Sequence, residues 1–148
     1  MKMALKEKGL FGAGCFWSVE ASFRKIPGVS EAICGYSGGH TNGPTYNDIC
    51  TGKTGHAEVV QVEYEPSQIT YDALLDAFWS CHNPTTLNQQ GLDIGSQYRS
   101  VIFYYTEEQK IIANSSKIKL QTEKYEPIVT EILPATEFYR AEEYHQKY

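Results

Sequence analysis

The sequence predicts an α+β protein: an α/β two-layer sandwich whose mixed β-sheet and covering helices form a ferredoxin-like core. Three observations lead there. Strand-like and helix-like stretches alternate as β-α-β, β-α-β, helix, strand, an order that calls for a sheet with helices packed on it. Two of the helical stretches carry one apolar stripe each, suited to a single covered face. Two long polar connections, 37–55 and 83–98, interrupt the alternation; connections of that length in a compact domain are usually functional and belong over one end of the sheet. The 148 residues fit one catalytic domain, 1–148, and a chain of this size removes roughly 68–70% of its extended surface from water on folding.

The first strand is the crowded "GLFGAG". It runs into a helix, "CFWSVEASFRKI", with Phe16, Val19, Glu20 and Phe23 at helical spacing and Pro27-Gly28 as the stop. "VSEAICGY" returns as a strand, and the glycine-rich segment Ser37 to Gly55 follows without clear periodicity. "HAEVVQVEYEP" is the strongest strand, ended by Pro66; "SQITYDALLDAFWSCH" is a helix with Leu74, Leu75, Phe78 and Trp79 as its stripe. "SVIFYYT", almost wholly apolar, suits a central strand buried on both faces. Thr106 and Gln109 look like a capping box opening the helix "EEQKIIANSSKIKLQTEKY". "PIVTEILP" is the last strand expected, and "FYRAEEYHQKY" a short terminal helix or coil.

Composition removes several functions. The formal charge is −5 and no long block carries one sign, so nucleic acid is not an expected partner. "MKMALKEKG" is too short and too charged for an export core, and no stretch approaches the ~20 apolar residues of a membrane span. No membrane partner is expected, and the cytoplasm is the default location. Cys15, Cys34, Cys50 and Cys81 lie 19, 16 and 31 positions apart, with no C-x-x-C pair; a zinc knuckle or a thioredoxin-type dithiol is not expected. In a reducing compartment these are free thiols, mostly buried and inert. The eleven tyrosines supply many hydroxyls on apolar rings.

Cys15 stands apart. A strand passing through Gly12 and Gly14 into a helix puts it at the helix N-terminus, where unpaired N–H groups favour negative charge. A thiol so placed falls from about 8.5 to as low as ~3.5–7.5, making thiolate at neutral pH. Phe16 and Trp17 cannot both face the core from the first turn, so one or both can wall the sulfur. A cysteine simply packed in a tight turn remains the plain alternative. Glu58 is the second candidate. Strand alternation sets it on the same face as Val60 and Val62. Burial would raise its pKa, and a glutamic acid protonated at pH 7 is a general acid. Against that stands a strand-end residue reaching water through the glycine loop.

"GCFW", "GYSGG", "PTYNDICTGKTGHAEVV", "NPTTLNQQG" with "GSQYRS", and "AEEYHQ" follow one another from Gly12 to about Gln146. Together they resemble the peptide methionine sulfoxide reductase A family. The resemblance implies a two-layer sandwich of ferredoxin-like type and reduction of the S epimer of methionine sulfoxide, free or in proteins, as a repair reaction. It implies Cys15 as the nucleophile that becomes a sulfenic acid, with Phe16 and Trp17 holding the substrate methyl. Glu58 would be the proton donor, Tyr46 and Tyr98 the hydroxyls on the sulfoxide oxygen, and Asp93 part of the loop closing the site. No metal or organic cofactor is required.

Many relatives resolve the sulfenic acid with a cysteine beyond the "YHQ" segment, whereas this chain ends at Tyr148 without one. A single-cysteine cycle is therefore expected, resolved by an external thiol: glutathione or glutaredoxin ahead of thioredoxin. Packing is the favoured role for Cys34 and Cys81, and an internal resolving partner stays open. Asn83 stands where many relatives have aspartate. Two other functions fit parts of the sequence. A Cys-His hydrolase could draw its base from His40, His56, His82 or His145, yet nothing beyond glycines points to an oxyanion hole; His56 is expected to support the start of its strand. A non-catalytic module binding methyl-bearing peptides would use Phe16, Trp17 and the tyrosines, but neither Cys15 nor Glu58.

Overall fold

The computed structural model describes residues 6–147; residues 1–5, on which part of the export-signal expectation rests, lie outside them. The strands are β1 (Glu7–Ala13), β2 (Val29–Ser37), β3 (Ala57–Tyr64), β4 (Gln89–Gln90), β5 (Asp93–Ile94), β6 (Ser100–Tyr104), β7 (Glu131–Pro134) and β8 (Tyr139–Arg140). The helices are α1 (Phe16–Arg24), α2 (Tyr46–Cys50), α3 (Tyr71–Ser80) and α4 (Glu107–Gln121). Among the described residues six strands form one sheet in the order β7-β6-β1-β3-β2-β8, with β4-β5 as a separate hairpin. Only β6 and β7 run parallel; the other neighbours in the large sheet are antiparallel, so the sheet is mixed.

The helices lie on one face. Phe16, Val19 and Phe23 of α1, Leu74, Leu75 and Phe78 of α3 and Ala113 of α4 join Phe11, Val60, Val62 and Ile102 of the sheet in the main core. Phe11 is its hub, stacked on Phe23 at 5.1 Å and Tyr71 at 6.0 Å and tilted against Phe78 at 5.5 Å. The opposite face buries Leu10, Ala57, Val59, Val101 and Phe103 under Ala135 and Phe138. Alternation in β1, β3 and β6 thus serves two cores, which is why those strands are so continuously apolar. No described helix is long and apolar enough to cross a membrane.

Several expectations need correction. The 37–55 connection is not wholly irregular: Thr45 caps α2, its Oγ1 accepting from Asp48 N at 3.2 Å while Asp48 Oδ2 accepts from Thr45 N at 3.0 Å. This is a capping box built with aspartate, and five residues are too few to show a helical period. Segment 83–98 contains the β4-β5 hairpin and a 3₁₀ turn at Ser96–Tyr98. The tail contributes β8 and a 3₁₀ turn at Glu143–His145. At α4 only half of the predicted capping box forms. Thr106 Oγ1 accepts from Gln109 N at 3.1 Å, but the Gln109 amide bonds Tyr105 N and Lys8 O, tying α4 to β1 instead. α4 also ends earlier than expected, at Gln121, whose side chain accepts from Ile128 N at 2.7 Å.

β8 depends on a missing side chain. A Cβ on Gly35 would sit 2.3 and 2.4 Å from the Phe138 ring and 2.6 Å from Tyr139 O. Gly35→Ala is therefore expected to push β8 off β2 and to cost about 1–3 kcal/mol, the usual range for overpacking. A urea melt with an unshifted midpoint would contradict this seating of β8.

Candidate active site

The chain leaves β1 through Gly14, at φ +100°, a left-handed conformation that suits glycine. The Gln90 side chain packs there, 2.8 Å from where a Cβ would stand, so the β4-β5 hairpin lies directly over the start of α1. Cys15 is the N-cap residue but its side chain caps nothing, which leaves the half-buried sulfur available for chemistry. The helix start was expected to lower its pKa. Instead the pKa is raised: burial is the largest cause, the Trp17 N–H works against it, and the charges of Glu58 and Asp93 push it further up. The helix end acts in the expected direction and loses to desolvation. At rest Cys15 is a thiol.

Glu58 is 1% exposed, on β3 and on the Val60–Val62 face as alternation predicted. Its Oε1 accepts from Phe16 N at 3.2 Å, and its Oε2 is buried without a partner among the described residues. Burial lifts its pKa to about 7, with the Phe16 N–H lowering it and Asp93 raising it. One oxygen is thus pinned to the helix that carries Cys15, and the other is free to bear a proton. The two groups are linked: protonating Glu58 removes one of the negative charges that suppress the thiolate.

The remaining expected residues converge on this pair. Phe16 is 1% exposed, in contact with Tyr36 at 5.7 Å and Tyr46 at 6.4 Å. Trp17 is partly buried and packs against the same core; of the two aromatics, Phe16 is the one fully enclosed. Tyr46 opens α2 and Tyr98 closes the 3₁₀ turn. Burial is the main cause of the rise in both hydroxyl pKa values, with Glu58 adding to each; Tyr98 is pushed up to about 12. Both are proton-bearing donors at neutral pH. Asp93, on the exposed β5, is felt electrostatically at Cys15, Glu58 and Tyr98. Among the described residues no group of three or more His, Cys, Asp or Glu could hold a metal ion.

The family profile described as peptide methionine sulfoxide reductase matches residues 7–148. The chain belongs to that family. It is 59% identical over 142 residues to peptide methionine sulfoxide reductase A2-1 of Oryza sativa subsp. japonica, covering 96% of this chain and 76% of the rice protein. It is 58% identical to MsrA of Methanoculleus marisnigri, covering 96% and 88% of the two chains. Reduced Mxr1 from Saccharomyces cerevisiae superposes with a TM-score of 0.94 at 36% identity, over 99% of this chain and 86% of the yeast one. Mxr1 in complex with Trx2 matches with a TM-score of 0.71 at 28% identity, over 96% and 85%.

Two further residues border the site in this peptide methionine sulfoxide reductase: Glu142, not expected from the sequence, and His145, expected only as a candidate base of a hydrolase. Glu142 accepts from the Tyr36 hydroxyl at 2.8 Å and from Tyr46 N at 2.9 Å. Burial favours its protonation, but these bonds outweigh it and hold the carboxyl below its ordinary range. His145, 1% exposed, accepts from the Trp17 indole at 2.9 Å. Their signal was the "AEEYHQ" block, whose place in the fold only the three-dimensional path of the tail reveals. Cys34 is buried, its thiol 3.6 Å from Phe16 O and 3.6 Å from Glu20 Oε1; Cys81 is half-buried against Phe78 O, and Cys50 is exposed. His56 holds the 37–55 loop as expected, accepting from Gly39 N at 2.9 Å and donating to Thr41 O at 2.7 Å. His82 is occupied by Phe78 O and Ser100 Oγ, and burial lowers its pKa to about 4. The hydrolase alternative thus finds His56 and His82 engaged elsewhere.

Folding moves the Glu58 pKa from 4.5 to about 7, so the folded state favours the protonated form. The stability it contributes is complete below the unfolded value and is lost as pH rises through the folded one. Glu58→Gln, which cannot ionise, is expected to gain Tm relative to the parent between pH 4.5 and about 8. Parallel Tm-versus-pH curves for the two proteins would show Glu58 titrating at its ordinary value.

Proposed function

We propose that this protein reduces the S epimer of methionine sulfoxide, in oxidised proteins and as the free amino acid, and so repairs oxidised methionine. The observation that carries the proposal is the buried Glu58 Oε2, without a partner among the described residues, on a carboxyl with a pKa raised to about 7 and fastened through Oε1 to the amide that follows Cys15. A sulfoxide has a polarised S–O bond, so donors aimed at the oxygen make the sulfur electrophilic. Glu58 supplies the proton, and the Tyr46 and Tyr98 hydroxyls hold the oxygen. Phe16 and Trp17 wall the methyl group opposite that oxygen, which selects the epimer, and Asp93 closes the site from the hairpin.

In the reaction the Cys15 sulfur attacks the sulfoxide sulfur and forms an S–S bond while Glu58 protonates the oxygen. The sulfoxide S–O bond then breaks, an oxygen bonds the Cys15 sulfur directly or by way of water, and the S–S bond breaks to release methionine and leave Cys15 as a sulfenic acid. Methionine sulfur gains two electrons and cysteine sulfur loses two. Two external thiols then return Cys15 to the thiol, giving a disulfide and water. Glutathione or glutaredoxin is our first choice for this step, and the yeast complex with Trx2 makes thioredoxin a further candidate. The buried position of Cys34 and the half-buried one of Cys81 favour an external reductant over either as an internal partner. Four free thiols suit a reducing compartment; the cytoplasm is our assignment, and one relative, A4 of Arabidopsis thaliana, is named chloroplastic. The same proposal takes residues 1–148 as one catalytic domain with a ferredoxin-like core, supported by the chain order β1-α1-β2-β3-α3-β6 and the all-antiparallel neighbours β6-β1-β3-β2.

Glu58→Gln should keep the fold and lower turnover by ~10²–10⁴, the usual worth of a positioned acid; a near-normal rate at pH 7 would remove Glu58 from its role. Cys15→Ser should abolish turnover altogether, and retained turnover would refute Cys15 as the nucleophile. One equivalent of substrate without reductant should leave a sulfenic acid on Cys15, trapped by a carbon nucleophile and seen by mass spectrometry. A disulfide from Cys15 to Cys34, Cys50 or Cys81 would overturn the single-cysteine cycle.

A further inference from the structure

We propose that the cleft along the outer face of α1 holds the polypeptide flanking the methionine sulfoxide, and that Lys25 and Lys147 there favour client segments carrying carboxylates. The inference rests on the proposed reductase reading and names the kind of protein substrate it prefers. The cleft has a volume of about 290 Å³ and is lined by Trp17, Glu20, Ala21, Arg24, Lys25 and Lys147. Trp17 belongs to both regions: it stands in the proposed methyl wall and in this cleft. The cleft therefore continues from the place where the substrate methyl is held.

Helical geometry gives the cleft its direction. Trp17, Ala21 and Lys25 are four positions apart and share one face of α1. Lys25, the C-cap residue, still has a right-handed helical conformation at φ −81° and ψ −2°. At 1.5 Å per residue the path from Trp17 to Lys25 spans roughly 12 Å, the length of about four residues of extended chain. A carboxylate about three or four residues from the sulfoxide thus comes within reach of the Lys25 ammonium. The tail supplies the second cation: Lys147 N donates to Glu20 Oε1 at 2.6 Å, which seats Lys147 beside the middle of the helix.

Charge decides the occupant. Glu20 is 2% exposed and both of its oxygens are taken, Oε2 by Arg24 Nε at 2.6 Å and Oε1 by Lys147 N, so its negative charge is turned inward. Arg24 is engaged by Glu20 and, at 3.2 Å, by Glu31. Lys25 and Lys147 are exposed, and neither forms an ion pair among the described residues. The chain as a whole carries a formal charge of −5. Against that background, two unpaired ammonium groups on a cleft that also presents Trp17 and Ala21 complement an anionic, partly apolar peptide and disfavour a basic one. Exposed ion pairs are individually weak and screened by salt, so the preference is modest and fades as salt is added.

The test measures binding by fluorescence anisotropy with the full chain carrying Cys15→Ser, so that no turnover consumes the ligand. Two labelled peptides each carry one S sulfoxide; one has glutamates about three and four residues to either side of it, the other glutamines there. At low salt the acidic peptide should bind about five-fold tighter. That preference should vanish when Lys25→Glu and Lys147→Glu are combined, and should fall below about two-fold in about 0.3 M salt. Ala21→Tyr, which fills the cleft from an exposed position, should weaken both peptides. Equal affinities for the two peptides, a preference that survives the double charge reversal, or no effect of Ala21→Tyr overturns the inference. So does binding of glutathione that depends on Lys25 and Lys147 without any such peptide preference, which would give the cleft to the reductant. Turnover of N-acetylmethionine sulfoxide, too short to reach Lys25, is read separately with the parent protein. Its absence faults the reductase reading, whereas turnover with no acidic preference faults only this inference.

Discussion

The amide of Phe16 bonded to the carboxyl of Glu58 is the contact on which the proposed chemistry depends. It joins the first turn of α1 to a central strand of the sheet, so Cys15 and Glu58, the proposed nucleophile and acid, are fixed relative to one another. The register behind it is specific: Phe11 opposes Val60 across β1 and β3, and Tyr36 opposes Glu58 across β2 and β3. A slip of one residue in β3 would turn Glu58 to the opposite face and Val59 toward the helices. Such a slip is costly, because Val60 and Val62 fill one core while Ala57 and Val59 fill the other.

The electrostatics of the site suit exchange of a proton better than storage of charge. An ordinary expectation for a cysteine at a helix start is a standing thiolate. Here desolvation outweighs the helix end, and the neighbouring carboxylates add to it. The cost falls when Glu58 takes up a proton, and a Glu58 pKa of about 7 keeps that state populated near neutral pH. Ionisation of the sulfur and readiness of the acid are therefore favoured together, in a half-buried site where water competes weakly.

Much of this was legible in the linear chain. The α1 stripe of Phe16, Val19, Glu20 and Phe23 and the alternation that turns Glu58 inward follow directly from periodicities of 3.6 and 2. Glu20 shows the limit of that logic: it occupies a core position as a carboxylate because Arg24 Nε at 2.6 Å and Lys147 N at 2.6 Å satisfy it, and the second partner is 127 residues away. The Cys15 pKa departs from the helix-start expectation for a similar reason. A helix terminus is visible in a sequence, whereas the degree of burial produced by a hairpin folding over Gly14 is not. α2 and β8 were missed because five-residue and two-residue elements carry too little pattern, and β8 exists only because β2 offers it an edge.

The way the tail closes β2 has a wider meaning. The outward carbonyl and amide of Cys34 are taken by a side-chain amide, Gln146, and by Ala141 N, while Arg24 Nη2 donates to the outward carbonyl of Ala32. Side chains thus finish what a longer final strand would otherwise do. An exposed strand edge is a template for any extended polypeptide, and a protein acting on damaged chains meets such polypeptides routinely. Along this stretch of β2 the hydrogen-bonding groups are already occupied, so clients can be engaged through their side chains without being recruited into the sheet.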